Sequence, residues 1–219
     1  MKLNKVKDSI DKRFYENLSK RIVEFRPSQK KSIDSGLLKG ENLLVCTPTA
    51  SGKTLIAELA MINNIYNKKG KGVYVVPLKA LASEKYKEFK KNYPDLKVAL
   101  SIGDTDSSDT YLEKYDIIFT TSEKLDSLIR HRSPFIFSIA TLVVDEVHLL
   151  NDPSRGPTLE VVITLLRQML KKCQYLYLSA TVGNEKTLAG WLEANLVEDS
   201  WRPVRLDKGI YRDGKITFY

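Results

Sequence analysis

The sequence predicts an α/β fold in which a parallel β-sheet is covered by helices on both faces. Short apolar runs, such as NLLVC (42–46) and ATLVV (140–144), alternate with segments of helical periodicity along most of the 219 residues. Strands separated by helices pair in parallel and are buried on both faces, which is why they read as continuous apolar runs. Ligands of such folds bind beyond the carboxyl ends of the strands, so the residues after each run are the candidate functional residues.

The first 24 residues have an apolar residue at every fourth position, which predicts one amphipathic helix. These residues are Val6, Ile10, Phe14, Leu18 and Ile22. Arg26-Pro27 ends the helix, because proline lacks the N–H group that a helix interior requires. We expect this N-terminal helical extension to cap the sheet.

The remaining elements alternate in chain order. The predicted strands are 42–46, 73–76, 97–102, 115–120, 140–144 and 174–178, and the predicted helices are 29–38, 53–67, 80–93, 123–131, 157–171 and 185–192. Glycine or proline stands at several of the boundaries, as is typical of turns. Lys85, Lys87, Lys90 and Lys91 are expected to form a solvated helix face.

Composition excludes several classes of protein. The apolar share is 42% and the charged share 28%, as in ordinary globular domains. The two cysteines, Cys46 and Cys173, lie far apart, which excludes a disulfide scaffold and a CxxC zinc site. There is no transmembrane run and no apolar leader, so we expect a reducing, cytoplasmic setting. The net charge of +8 favours a polyanionic partner such as nucleic acid.

The segment after the first predicted strand has the pattern of a phosphate-binding loop. It reads Thr47, Pro48, Thr49, Ala50, Ser51, Gly52, Lys53, Thr54. Backbone N–H groups at the start of a helix form a cradle for an anion. We expect Lys53 to face solvent in the empty loop and to bind phosphates when the nucleotide enters. We expect the Thr54 hydroxyl to bind Mg²⁺. Thr47 departs from the glycine or alanine expected at the first position.

A second candidate site follows the apolar run LVV (142–144) in the tetrapeptide DEVH (145–148). Adjacent carboxylates at a strand end are costly unless a cation or hydrogen bonds satisfy them. Asp145 would hold Mg²⁺ and Glu146 would orient the water that attacks the γ-phosphate of ATP.

Three further strand ends carry polar residues whose roles the sequence leaves open. Ser179-Ala180-Thr181 either relays the nucleotide state or caps a helix. In Thr120-Thr121-Ser122, which precedes another helix, Ser122 together with Lys124 either contacts phosphates or belongs to a helix cap. Pro77-Leu78-Lys79 opens a helix and reads either as a nucleic-acid contact or as an ordinary turn.

Taken in order, these motifs resemble superfamily two helicases of the DExH-box type, within the superkiller-like branch. The motifs are PTASGKT (48–54), PLKALA (77–82), TTSEKLDSL (120–128), DEVH (145–148) and SAT (179–181). The later segments VGNEKTLAGWL (182–192) and WRPV (201–204) are most similar to the archaeal fork-repair DNA helicases. The resemblance implies a RecA-like P-loop NTPase domain.

The resemblance also assigns roles that the residues alone do not. It implies that Gln29, otherwise a surface glutamine, reads adenine and selects ATP over GTP. It implies that His148, Ser179 and Thr181 couple hydrolysis to motion. Pro77, Lys79, Gly103 (with Asp104), Thr121 and Lys124 fall where the family contacts one nucleic-acid strand.

The resemblance further implies a second RecA-like domain that supplies arginines to the nucleotide. We therefore expect residues 1–24 to be an extension, 25–203 to be the first motor domain and 204–219 to begin a linker. We expect a monomer that binds ATP and Mg²⁺ but hydrolyses ATP poorly alone. The expected activity is ATP-dependent 3′-to-5′ unwinding, with DNA as the favoured strand.

Two alternatives from the same residues remain open: a nucleotide-gated module that clamps nucleic acid without unwinding it, and an RNA helicase of the same branch. A small-molecule kinase is disfavoured, because DEVH and SAT have no role in one.

Overall fold

The computed structural model describes residues 1–103, 109–204 and 207–218. The strands are β1 Leu43–Cys46, β2 Lys71–Val75, β3 Val98–Ser101, β4 Ile117–Thr120, β5 Ile139–Val144, β6 Gln174–Ser179, β7 Asn195–Glu198, β8 Gly209–Arg212 and β9 Lys215–Phe218. The α-helices are α1 Lys12–Ser19, α2 Pro27–Asp34, α3 Lys53–Tyr66, α4 Lys79–Asn92, α5 Ser122–Arg130, α6 Gly156–Met169 and α7 Glu185–Leu192. Asp104 and three positions of the predicted linker, 205, 206 and 219, lie outside the described residues.

Seven strands form one sheet in the order β3-β4-β2-β5-β6-β1-β7, and all the neighbouring pairs are parallel. Side chains alternate between the two faces of each strand. In β2, Tyr74 joins one apolar cluster with α3 and α4, whereas Val73 and Val75 join a second cluster with α5 and α6. The predicted parallel sheet with helices on both faces is confirmed.

No helix in the described ranges combines the length with the apolar character that spanning a bilayer requires. The longest helices, α3, α4 and α6, have 14 residues each.

The single N-terminal helix predicted from the four-residue period is wrong. The segment forms a 3₁₀ helix over Leu3–Ser9 and then α1, separated by Ile10 in an extended conformation. Asp11 causes the break, because its side chain caps α1 by accepting from Arg13 N, and its own N–H donates to Asn63 Oδ1. The apolar residues still join the cluster that contains α3, so the segment belongs to the layer on that face of the sheet.

The structure adds strands that the sequence analysis missed. β7 pairs in parallel with β1 at the edge of the sheet. β8 and β9 form an antiparallel hairpin inside the predicted linker, and all of their residues are exposed. β7 buries only Val197, and β8 and β9 bury none of their residues, so none of the three has the continuous apolar run that marks the other strands.

A buried polar network joins the N-terminal segment to α3. Glu58 lies one helical turn beyond Thr54 and is buried. Its carboxylate accepts hydrogen bonds from Arg21 Nη2 at 3.0 Å and from the Tyr93 hydroxyl at 2.6 Å. A buried carboxylate requires such partners, so Arg21 and Tyr93 fix the helix that follows the predicted phosphate loop.

We predict that Arg21→Met lowers the free energy of unfolding by about 2 kcal/mol, because Glu58 then keeps a buried charge without its cation. Urea unfolding followed by circular dichroism measures this change. Lys12→Met is the matched control, because Lys12 pairs with Glu16 on an exposed face and should leave stability unchanged. Equal free energies of unfolding for the two variants would show that the network does not stabilise the fold.

Candidate nucleotide and nucleic-acid sites

The predicted phosphate loop leaves the end of β1 and enters α3 at Lys53. The backbone turns sharply, with Ala50 and Gly52 at φ values of 64° and 98°. Glycine is favoured at position 52 because residues with a Cβ rarely adopt this positive φ. A Cβ there would also collide with Gln29 Nε2. The loop therefore has the strand-loop-helix geometry in which backbone N–H groups can surround an anion.

The unusual first residue of the loop, Thr47, has a structural role. It is fully buried, and its hydroxyl is hydrogen-bonded to the Ser51 hydroxyl at 2.7 Å. This bond joins the two ends of the turn. A threonine at this position therefore replaces glycine or alanine without leaving a buried polar group unpaired.

Lys53 is half-buried, and its ammonium does not extend into solvent as expected for an empty loop. Its ammonium group folds back and donates to the carbonyls of Thr47 at 2.9 Å and Pro48 at 3.4 Å. Burial lowers the pKa of Lys53, and the nearby carboxylates of Glu146 and Asp145 act in the opposite direction. Lys53 thus lies in the same electrostatic environment as both predicted catalytic carboxylates.

Gln29 is a buried part of the site and not a surface residue. Its Oε1 accepts from Arg26 N at 2.8 Å, and its Nε2 donates to Gly52 O at 3.1 Å. The Arg26 guanidinium donates to Ala50 O at 2.7 Å and lies over the ring of Trp201. Both ends of the Gln29 amide are engaged here, so reading adenine would require these bonds to exchange.

Asp145 and Glu146 follow β5 directly. Asp145 Oδ2 accepts from the Tyr74 hydroxyl, and its Oδ1 accepts from Glu146 N, each at 3.0 Å. Tyr74 is fully buried on β2, next to β5, and stacks on Phe119. Tyr74 is a site residue that the sequence analysis missed, because inside the apolar run of β2 it reads as a core aromatic.

Two of the three predicted coupling residues lie together. His148 Nδ1 is 3.4 Å from both Glu146 Oε2 and Ser179 Oγ. Since β6 lies between β1 and β5, Ser179 stands between the phosphate loop and the carboxylates. Thr181 is not part of this contact and is exposed on a neighbouring cavity lined by Lys31 and Glu198.

The predicted Mg²⁺ ligands are Thr54 and Asp145, which both offer oxygen atoms. No group of three or more His, Cys, Asp or Glu side chains that could hold a metal occurs among the described residues. Mg²⁺ in nucleotide sites is typically held by one or two protein oxygens together with phosphate oxygens and water. The donors present fit that kind of site.

The ammonium of Lys85 places a positive charge 2.6 Å from Thr54 Oγ1. Lys85 is therefore not part of the solvated helix face that the sequence predicted.

The five residues predicted to contact nucleic acid line one groove with a volume of about 430 Å³. It lies at the carboxyl ends of β2, β4 and β3, beside the end of β5. Its lining residues are Pro77, Leu78, Lys79, Ile102, Gly103, Thr121, Glu123, Lys124, Ser127 and Arg155. The strand order therefore places this groove next to the loop and carboxylates at one edge of the sheet.

The groove residues differ in their burial. Thr121 is the N-cap of α5 and accepts from Lys124 N, as the helix-cap alternative predicted. Lys124 is buried, and its ammonium is paired with Asp109 at 2.9 Å. Lys79 is exposed at the start of α4. Arg155, which the sequence analysis missed, also lines a narrow cavity that reaches Asp145, and only the packing of α6 places it there.

Comparisons with known proteins show which family this chain belongs to. The sequence profile of the DEAD/DEAH box helicases matches residues 26–188. The ATP-dependent DNA helicase Hel308 of Pyrococcus horikoshii is 53% identical over 207 residues, which cover 94% of this chain and 28% of that protein. Hel308 of Methanococcus vannielii is 53% identical over 205 residues, with 90% and 27% covered. The chain thus spans about a quarter of the length of these relatives.

A solved structure shows the same fold. The crystal structure of the DUF1998 helicase MrfA bound to DNA superposes with a TM-score of 0.74 at 26% identity, covering 88% of this chain and 30% of that one. A second structure of MrfA, bound to DNA and AMPPNP, gives a TM-score of 0.73 at 27% identity, with the same coverage.

We predict that Tyr74→Phe lowers the free energy of unfolding by about 1.5–3 kcal/mol, because a buried hydroxyl then no longer donates to the Asp145 carboxylate. Denaturant unfolding at neutral pH measures the change. Tyr86→Phe is the control, since the Tyr86 hydroxyl only accepts from Lys90 on an exposed face. A Tyr74→Phe variant as stable as Tyr86→Phe would contradict the role given to this hydrogen bond.

Proposed function

Because the chain belongs to the DEAD/DEAH box helicase family, we propose that it is the ATP-binding motor domain of an ATP-dependent DNA helicase. In this proposal it couples MgATP hydrolysis to 3′-to-5′ movement along a single strand. One observation carries the proposal: the phosphate loop, the carboxylate pair and the groove lie side by side at one edge of the sheet. An enzyme that converts hydrolysis into strand movement needs these sites to be adjacent.

The nucleotide would bind by replacing contacts that the loop makes with itself. Lys53 would exchange the Thr47 and Pro48 carbonyls for the β- and γ-phosphates, which offer the half-buried ammonium a full negative charge. Gln29 would exchange Arg26 N and Gly52 O for the edge of adenine. The cavity beside it, lined by Phe25, Arg26 and Trp201, is large enough for a base at about 520 Å³.

The catalytic roles follow from the positions of the carboxylates. Thr54 and Asp145 would hold Mg²⁺, which neutralises phosphate charge when it is bound. Tyr74 keeps the Asp145 side chain in one orientation. Glu146 would orient the attacking water. Because His148 contacts both Glu146 and Ser179, a movement of Ser179 would shift this carboxylate. Thr181 would join this coupling only after a rearrangement of its exposed segment.

The groove would hold one nucleic-acid strand. Lys79 and Arg155 supply positive charge, and the exposed backbone at Gly103 permits a close approach by a sugar-phosphate chain. Lys124 would contribute only after leaving Asp109, whereas Pro77 and Thr121 shape the wall. The similar relatives are named DNA helicases, which supports DNA over RNA as the strand.

The activity of the whole protein would require a second RecA-like domain. In this proposal, residues 25–203 form the first motor domain and 204–219 lead towards the second. The expected arginines would come from there, and loss of such an arginine costs roughly 10³–10⁵ in the rate of phosphoryl transfer. We expect this chain to act in the cytoplasm as a monomer that binds MgATP and turns it over slowly.

We predict that Lys53→Ala abolishes MgATP binding and leaves the fold intact, because the ammonium contacts only loop carbonyls in the free protein. Calorimetric titration with MgATP and MgGTP, in parallel with Gln29→Ala, tests the phosphate loop and the adenine reader together. We expect the parent chain to prefer ATP and Gln29→Ala to lose that preference. Lys69→Ala, in the exposed turn that follows α3, is the control.

Unaltered MgATP affinity of a folded Lys53→Ala variant would contradict the phosphate-loop assignment. A strand-displacement assay on a full-length relative then separates a helicase from a module that only clamps its strand. Displacement of the strand without hydrolysis of ATP would exclude the proposed ATP-driven motor.

We predict that Lys79→Ala weakens the binding of a single-stranded oligonucleotide roughly 3- to 10-fold, because one phosphate contact is lost. The slope of log affinity against log salt concentration should fall by about 0.7. Fluorescence anisotropy at several salt concentrations measures both quantities. Lys91→Ala, exposed at the other end of α4, should change neither, and an equal loss in the two variants would place the strand elsewhere.

A further inference from the structure

The ammonium of Lys85 donates to Thr54 Oγ1 at 2.6 Å, although the two residues lie 31 positions apart. Lys85 lies on α4, and its side chain is only 17% exposed. Lys87, Lys90 and Lys91 of the same helix are exposed. Lys85 is therefore the lysine of this helix that is directed into the nucleotide site.

The position of this ammonium conflicts with metal binding. Thr54 Oγ1 is a predicted Mg²⁺ ligand, and Mg²⁺ lies 2.0–2.1 Å from its ligands in a strict octahedral arrangement. An ammonium within hydrogen-bond distance of the same oxygen repels a second cation, most strongly where solvent is partly excluded. Lys85 and Mg²⁺ therefore exclude each other at Thr54.

From this geometry we infer that Lys85 is a positioning residue that occupies Thr54 in the nucleotide-free protein and is displaced when Mg²⁺ enters with the nucleotide. The inference rests on the proposed nucleotide site. The Glu88 carboxylate, 3.7 Å from the same ammonium, offers a second partner after displacement. A site guarded in this way binds Mg²⁺ weakly until phosphate oxygens complete the coordination.

The test compares the ATP dissociation constant in EDTA with that in Mg²⁺, both measured by calorimetry. The ratio of the two constants reports how strongly the metal assists binding. Lys85→Met removes the competing charge and approximately keeps the length of the side chain, so the ratio should rise roughly 3- to 10-fold, as expected for the loss of one hydrogen bond of ordinary net strength. Lys85→Arg should restore a ratio closer to that of the parent chain.

Lys87→Met is the matched control, because it removes an exposed lysine of the same helix and should leave the ratio unchanged. A Lys85→Met ratio equal to that of the control would overturn the inference. A lower ratio would also overturn it, because Lys85 would then assist the metal and the nucleotide. Thermal unfolding of each variant verifies that the fold is retained.

A second measurement separates this inference from the proposed function. Mn²⁺ alone, followed by electron paramagnetic resonance, should bind the nucleotide-free Lys85→Met variant more tightly than the parent chain, and Thr54→Val in the same variant should remove that gain. If Lys85→Met gains Mn²⁺ affinity in this way but the protein does not bind ATP, the proposed function is refuted and the role of Lys85 is retained. Equal Mn²⁺ affinity in a protein that binds MgATP would retain the function and refute the role.

Discussion

Parallel pairing of β1, β6 and β5 is the constraint on which the candidate site depends. Because these strands run in the same direction, their carboxyl ends meet at one edge, where Cys46 is paired with Ser179 and Val144 with Tyr177. The register matters as much as the order, since a slip of one residue would turn Ser179 to the other face of the sheet. The same edge continues through β2, β4 and β3, which explains why the groove adjoins the nucleotide site.

The site satisfies its own polar groups before any ligand binds. Lys53 is bonded to loop carbonyls, Gln29 to Arg26 and Gly52, and Lys124 to Asp109. Such pairing is necessary, because buried polar groups without partners would destabilise the fold. Ligand binding at this edge is consequently an exchange of partners. Its net free energy is smaller than the sum of the new contacts.

Support for the site comes from the apolar face that lies behind it. Tyr74 reaches Asp145 from within the cluster formed by Phe89 and Phe119, and Glu58 ties α3 to Arg21. The N-terminal segment thereby contributes to the position of the phosphate-loop helix. A change in this packing would alter the geometry of the site, because it would shift the start of α3 and the end of β5, where the site residues lie.

The sequence by itself determined the fold class, most strands and helices, and the local motifs at residues 47–54 and 145–148, because periodicity and turn chemistry act between near neighbours. The resemblance of its motifs to a helicase family indicated five of the residues that line the groove. The sequence did not determine β7, which lacks a buried apolar run, or the break at Ile10, where the bond of Asp11 to a distant partner, Asn63, overrides the local pattern. Only the tertiary structure decided the partners of Tyr74, Lys85, Lys124 and Arg155. The reason is physical: these contacts join residues that are far apart in the chain, so they exist only once the sheet order and the helix packing are fixed.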